Sequence, residues 1–373
     1  MMDEKLTVRE VGERQVVAEI TGMMVAPSML VDGFGHDSAF IDICRGDNEL
    51  LVLNTDRSGL NAAYSLGLAG PECVGDFGVS HAISDIVVAG GIPRAVTVAL
   101  LLPADSTLGF VRGVMRGAAE AARRYGAEIV AGDTKQNPKF AMVATAVGTV
   151  PRDKRICRSG ARPGDALVVT GFLGSMLLGL IACKRALPLG DRVRNIVEQA
   201  IIEQRPPFSL GRGIAEAGIP HAGTDISDGL PGAIHAICGA SDCGAFVDEL
   251  RIPLDPHLDE LILASGLSPL QLGTAGGDWQ FLYAVPPELL PSLQLLAASQ
   301  DAKVTVIGGM TENQEIAIRH FDGAWHQLER IEHDSFADAG NGIGHFSRIG
   351  AASSQRGAAL EARHFEALWS QIF

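Results

Sequence analysis

From Ala166 to Cys183 the chain carries no charged side chain. Such a stretch is long enough to cross a bilayer, so whether it forms one continuous helix decides the class of the whole molecule. It divides into three pieces. Ala166-Leu-Val-Val-Thr170 suits a buried strand, Gly171 to Ser175 is a glycine turn, and Met176 to Ala182 begins a helix. A strand-turn-helix of a globular protein is expected, with no membrane partner. The N-terminal Met1-Met2-Asp3-Glu4-Lys5 lacks the basic-then-apolar order of a signal peptide, so the expected location is cytoplasmic. The cysteines, Cys44, Cys73, Cys157, Cys183, Cys238 and Cys243, contain no CxxC pair and read as free thiols.

The same mixture recurs along the chain. Leu50 to Asn54, Ala95 to Leu102 and Phe140 to Val147 are strand-like, and Val79 to Ala89 and Leu108 to Tyr125 are helix-like, which argues a mixed sheet covered by helices. A charged turn at Pro151-Arg-Asp-Lys-Arg155 breaks the pattern. Strands at 166–170, 245–249, 281–285 and 303–308 follow, with helices near 175–186, 209–217 and 229–239. With 373 residues, two cores are expected. The fold class is α/β (α+β), with an N-terminal domain over 1–152, a C-terminal domain over 153–337 and a helical extension over 338–373. That extension includes an amphipathic helix from Ala358 to Phe373.

A formal charge of −14 with no long basic run excludes nucleic acid as a partner. An acidic chain can still hold a nucleotide if divalent cations bridge its carboxylates to the phosphates. Aspartates at the ends of predicted strands or in glycine loops are the candidates. They are Asp37 in Gly33-Phe-Gly-His-Asp37, Asp56 in Asn54-Thr-Asp56, Asp85 after Ser84, Asp133 in Ala131-Gly-Asp133-Thr134, and Asp225 and Asp228 in Thr224-Asp225-Ile-Ser227-Asp228-Gly. Each also suits a cap or turn, and neither a Walker-A sequence nor a GxGxxG loop is present, so spacing alone leaves the function open.

Taken in order, Gly35-His-Asp37-Ser-Ala, Asn54-Thr-Asp56, Ser84-Asp85-Ile-Val-Val-Ala-Gly-Gly, Gly132-Asp133-Thr134, Arg158-Ser-Gly-Ala-Arg-Pro-Gly-Asp165, Val169-Thr-Gly171, Asp225-Ile-Ser-Asp-Gly-Leu230 and Gly276-Gly-Asp278 resemble the thiamine-monophosphate kinase family, over roughly residues 30 to 336. That family belongs with aminoimidazole ribonucleotide synthetase, selenophosphate synthetase and a carboxamide-dehydrating hydrogenase-maturation enzyme. The resemblance implies an AIR synthase-like architecture of two domains, a C-terminal α/β sandwich, a homodimer built through the N-terminal sheets, and ATP with several Mg2+ ions between the domains. It implies Asp37, Thr55, Asp56, Asp85, Asp133, Asp225 and Asp228 as metal ligands. Gly132, Asp133, Arg158 and Ser227 would contact ATP, and Asp56, Asp133 and Arg158 would carry catalysis. A guanidinium fork at Arg158 suits phosphate oxygens.

The sequence departs from the family where substrate is held. Arg57-Ser-Gly-Leu-Asn-Ala-Ala63-Tyr64 places alanine where the kinase has a histidine, Gly276-Gly-Asp278-Trp279-Gln280 lacks a glutamate, and an aromatic residue is replaced around Glu332-His333-Asp334-Ser335-Phe336. His81 or Glu72 would supply equivalent contacts if the register slips. Arg57, Asn61, Asp278 and Trp279 are the substrate candidates. The expected function is ATP- and Mg2+-dependent phosphoryl transfer to a small-molecule acceptor other than thiamine monophosphate. The alternatives are a genuine thiamine-monophosphate kinase or a nucleotide-binding regulatory protein without turnover.

Overall fold

The computed structural model describes residues 7, 10, 13–24, 27–43 and 48–331. Cys44, the segment Glu332 to Phe336, the 338–373 extension and the helix expected from Ala358 lie outside the described residues.

After a helix α1 (Glu13–Met23), the first sheet comprises β1 (Leu30–Val31), β2 (Ala39–Ile41), β3 (Glu49–Ser58), β4 (Ile92–Leu102), β5 (Glu128–Gln136) and β6 (Ala141–Pro151), in the order β1-β2-β3-β6-β4-β5. Every pairing is antiparallel except β4 with β5. Three helices interrupt these strands: α2 (Ala62–Ser65), α3 (Glu72–Val88) and α4 (Leu108–Arg124). Strand alternation sends Val52, Val98 and Ala144 inward, where α3 covers them with Ile83 and Ile86, all fully or nearly fully buried. Burying each such aliphatic side chain contributes about 1.5–3 kcal/mol. Helices α3 and α4 touch backbone to backbone. A Cβ on Gly75 would lie 1.8 Å from the Val114 carbonyl oxygen, and one on Gly117 would lie 1.9 Å from that of Glu72, so only glycine fits either place.

The chain leaves the first sheet at Pro151 and enters the second at Ala166. The second sheet contains β7 (Ala166–Thr170), β8 (Ala222–Asp225), β9 (Gly244–Asp248), β10 (Phe281–Val285), β11 (Val304–Thr311), β12 (Ile316–Arg319) and β13 (Trp325–Gln327), in the order β13-β12-β9-β11-β7-β10-β8. Its helices are α5 (Ser175–Arg185), α6 (Asp191–Ile202), α7 (Phe208–Ala217), α8 (Leu230–Ser241), α9 (Asp259–Ser265), α10 (Pro269–Thr274) and α11 (Leu290–Ser299).

The uncharged stretch 166–183 is resolved as β7, a turn and α5. Its apolar continuity has a simple cause. Ala166 and Val168 of β7 point into the core that also contains α3, while Leu167 and Val169 point into a second core lined by α8. A strand buried on both faces needs apolar residues at every position. Among the described residues no helix is long and apolar enough to cross a membrane.

Strand β5 went unrecognised in the sequence because nearly all of it is exposed, so it lacks an apolar alternation; parallel pairing to β4 defines it. The polar helix α6 buries only Val197 and Ile201 and gave an equally weak signal.

Candidate active site

Three carboxylates meet where the two sheets adjoin. Asp37 comes from the glycine loop before β2, Asp85 from the fourth turn of α3, and Asp225 from the last residue of β8; one oxygen of each lies within 4.8 Å of the others. Asp85 projects from the helix read in the sequence over Val79 to Ala89, and not from a strand end or glycine loop like the other aspartates, with its backbone carbonyl in use by Ala89 N–H. The inner face of β3 adds Asp56, which accepts a hydrogen bond from Asn54 Nδ2 at 2.5 Å. The same amide reaches the Ala82 carbonyl at 3.4 Å and so ties β3 to α3.

Among the described residues, Arg158 is the cation that faces this group. Arg158 donates from Nε to Asp37 Oδ2 at 3.1 Å and from Nη2 to Asp37 Oδ1 at 2.9 Å, and Thr224 Oγ1 donates to the same Oδ1 at 2.9 Å. The upstream arginines hold the same loop region: Arg155 pairs with Asp32 at 2.6 Å and Arg152 with Asp42 at 2.7 Å.

The charge remains unbalanced. Burial, followed by the charges of Asp225, Asp56 and Asp37, pushes the Asp85 carboxyl well above the usual range. Burial, followed by Asp37 and Asp228, pushes Asp225 up to about 8, although Arg158 and a hydrogen bond from Ser227 oppose the shift. The Asp37 charge in turn raises Arg158. Clustered carboxylates that resist ionising together are a hard-cation site in chemical terms, because oxygen donors of this kind suit Mg2+. The residues therefore fit that ion.

Not every candidate joins the cluster. Thr55 and Arg57 alternate with Asp56 along β3 and are exposed on the opposite face, where Thr55 Oγ1 lies 3.0 Å from Thr145 Oγ1. Asp133 pairs in register with Ala99 on β4, and Ala99 with Val143 and Val143 with Arg57, so it stands on that outer face too. Three strand spacings separate β5 from β3, about 14 Å. Asp133 is exposed and accepts from Thr134 N–H at 2.8 Å. Gly132 beside it approaches the backbone of β4, where a Cβ would meet the Val98 oxygen at 2.2 Å. Asp228 is exposed in the loop before α8, near enough to act on Asp225.

Two substrate candidates are committed to the fold. Asn61 is buried, caps α2 by accepting from Tyr64 N–H at 3.1 Å, and donates to the Cys73 carbonyl at 3.2 Å. Asp278 accepts from Gly174 N–H at 2.6 Å and Met176 N–H at 3.0 Å, capping α5, while burial pushes its carboxyl up to about 6. Trp279 is buried 4.9 Å, ring to ring, from both Phe77 and His81. Glu72 pairs with Arg116 at 2.9 Å. The part of His81 was visible in the sequence only through its spacing, one helical turn before Asp85.

The AIR synthase related protein N-terminal domain profile matches residues 35–150, and the corresponding C-terminal domain profile matches residues 162–321. Thiamine-monophosphate kinase of Pyrococcus abyssi is 30% identical over 267 residues, 70% of this chain and 79% of that protein. The Halobacterium salinarum enzyme of the same name is 30% identical over 316 residues, 83% of this chain and 95% of that protein. In fold, the chain is similar to AaThiL complexed with AMPPCP and TMP, with a TM-score of 0.75 at 23% identity, covering 89% of this chain and 99% of that one. It is also similar to the hydrogenase maturation protein HypE in complex with ATP, with a TM-score of 0.60 at 19% identity, covering 87% and 96% respectively.

Proposed function

The chain belongs to the AIR synthase related family as an ATP-dependent kinase of the thiamine-monophosphate kinase type, and from that premise we propose that it transfers the γ-phosphoryl group of ATP to a small-molecule acceptor that differs from thiamine monophosphate. The observation that carries this reading is the convergence of Asp37, Asp85 and Asp225, from both domains, opposite Arg158.

In this reading Asp37, Asp56, Asp85 and Asp225 hold Mg2+, with Asp228 at the rim. When bound, Mg2+ neutralises phosphate charge and polarises the phosphoryl group, so that little acid-base work falls to the protein. Arg158, which now serves Asp37, offers its guanidinium fork to the triphosphate, and Ser227 adds to the nucleotide contacts; Gly132, on β5 beside Asp133, reaches a nucleotide only across a second copy. Thr55 and Asp133, on the outer face of the first sheet, serve a site only if that face meets a second copy. A homodimer built through the N-terminal sheets therefore accompanies the proposal.

Support for an altered acceptor comes from the side chains at the departures. Ala63, where the kinase has a histidine, is fully buried in the core. Gln280 accepts from Thr170 Oγ1 at 2.9 Å and donates to the Asp278 carbonyl at 3.1 Å, so its amide is oriented by the fold and carries no charge for a ligand. The second reading, a genuine thiamine-monophosphate kinase, is favoured by the relatives that bear that name. An ATP turnover assay against a panel of phosphomonoesters and carboxylates, with thiamine monophosphate included, tests both. Turnover with another acceptor at saturating Mg·ATP is expected, and absence of turnover with every acceptor and with water would sink the enzyme reading.

A further inference from the structure

Phe77, His81 and Asp85 follow one another at four-residue intervals on α3 and so lie along one face of the helix, with Asp85 inside the carboxylate cluster. Trp279 of the second domain covers the first two. The chain is bent to place it there: Gly276 and Gly277 have φ of +67° and +84°, and Trp279 itself has φ of +47°. A bulky residue in the left-handed region costs about 1–2 kcal/mol and persists only where its surroundings enforce it.

His81 is held by these rings and not by hydrogen bonds. Its Nδ1 is buried with no partner among the described residues, and Nε2 stands 4.0 Å from Asp56 Oδ1, beyond hydrogen-bond reach. Other histidines are anchored: His221 Nδ1 lies 2.9 Å from Asp165 Oδ2, His320 Nδ1 2.7 Å from Glu249 Oε2, and His235 Nε2 2.9 Å from the Leu328 carbonyl oxygen. Trp279 Nε1 is likewise buried without a partner. A buried polar group left unpaired costs about 1–3 kcal/mol; with Nδ1 enclosed, the imidazole nitrogen open to a ligand is Nε2, on the Asp56 side of a side chain 24% exposed, next to the unpaired indole N–H. The indole offers only a donor, and the imidazole offers a donor in either tautomer. A group with several acceptor oxygens matches both.

We propose that His81, walled by Phe77 and Trp279, positions the acceptor by hydrogen bonding to an oxyanion oxygen, phosphoryl or carboxyl, placed beside Asp56. The proposal rests on the kinase reading and specifies the acceptor side of the same site.

Calorimetry separates the two. AMPPCP with Mg2+ is titrated first, and its failure to bind the wild-type chain would overturn the kinase reading and this inference with it. Inorganic phosphate, and in a parallel arm acetate, is then titrated into the loaded protein, with the nucleotide filling the ATP side. Binding of at least one of the two is expected, phosphate alone indicating a phosphoryl acceptor and acetate alone a carboxyl one. His81→Ala should weaken that binding at least tenfold, while His81→Asn, which keeps a donor, should stay within about threefold. A merely structural His81 would show no such rescue. Trp279→Phe, which removes Nε1 and keeps a ring, should weaken the oxyanion severalfold and change AMPPCP affinity less. Oxyanion affinity equal in wild type and His81→Ala, or no oxyanion binding to loaded wild type, overturns the proposal.

Discussion

Arg158 grips both oxygens of Asp37, at 3.1 Å from Nε and 2.9 Å from Nη2, across the joint between the two sheets. The Asp37 side chain is only 4% exposed, so this guanidinium is the counter-ion of a carboxylate that cannot turn to water. Nucleotide and metal would each compete for one half of the pair.

Replacing Arg158 with Gln removes that counter-ion and leaves Asp37 beside Asp85 and Asp225. Breaking a buried pair from one side typically costs about 3–5 kcal/mol, and Arg158 is part-exposed, so about 3 kcal/mol is expected. Urea unfolding in chelator should show the loss, and added Mg2+ should recover more stability in the variant than in the wild type. An unchanged unfolding midpoint would contradict the pairing.

Raised carboxyls give the metal-free protein a pH signature. Asp225, pushed up to about 8, and Asp85, also raised, keep protons in the folded chain that the unfolded chain releases near pH 4. Stability in chelator should therefore fall as pH rises from about 4 through 8, and Mg2+ should flatten the slope. Metal binding at pH 7 should release protons, read as a dependence of calorimetric heat on buffer ionisation enthalpy.

Asp76 ties α3 to α4 and to the second domain. It accepts from Arg124 at 2.9 and 2.7 Å and from Arg205 at 3.0 Å. Burial alone would raise this carboxyl, but the two guanidinium groups hold it below its usual range. Its contribution is present above about pH 4 and is lost as pH falls through the depressed folded value. Asp76→Ala should cost about 2–4 kcal/mol at pH 7 and much less at pH 3, because it strips two arginines of their partner. Equilibrium unfolding at the two pH values checks this.

Light scattering should give twice the 39.2 kDa chain mass. Val130, 61% exposed on β5, is the side chain to test. Val130→Lys, at the irregularity of edge strand β5, should shift the protein toward monomer and lower turnover together, since Thr55 and Asp133 need the second copy. A wild-type monomer at micromolar concentration would remove the proposed homodimer.

The elements legible in the sequence were those buried on a regular period. Strands β7 and β10 stand at their expected bounds because two cores dictate apolar residues on both their faces, and helix α5 stands within a residue of its own because Leu177, Leu178 and Ala182 pack into a third. The exposed edge β5 carried no such pattern. At the site, Asp37, Asp85 and Asp225 were legible as ordered motif pieces. The separation of Asp56 from Thr55 and Arg57 was not, because it depends on which face of β3 packs against α3. Asn61 and Asp278 stand at helix starts, where a short side-chain acceptor satisfies free backbone N–H groups, a role that the sequence does not separate from meeting a ligand. His81 carried no motif at all. Only its spacing, one helical turn before Asp85, was legible; the indole that walls it depends on a bend at Trp279 that no local pattern encodes.

The most direct measurement of the central claim is kcat/KM for thiamine monophosphate at saturating Mg·ATP, with AMPPCP binding measured on the same preparation. Losing two charged hydrogen bonds of about 1.5–3 kcal/mol each would cut transition-state binding by roughly two to four orders of magnitude if they add. Normal nucleotide binding with kcat/KM below about 10² M⁻¹s⁻¹ is the predicted result, against an ordinary enzymatic range that begins near 10⁴ M⁻¹s⁻¹. A value of about 10⁴ M⁻¹s⁻¹ or more would contradict the altered acceptor and make the chain a thiamine-monophosphate kinase outright.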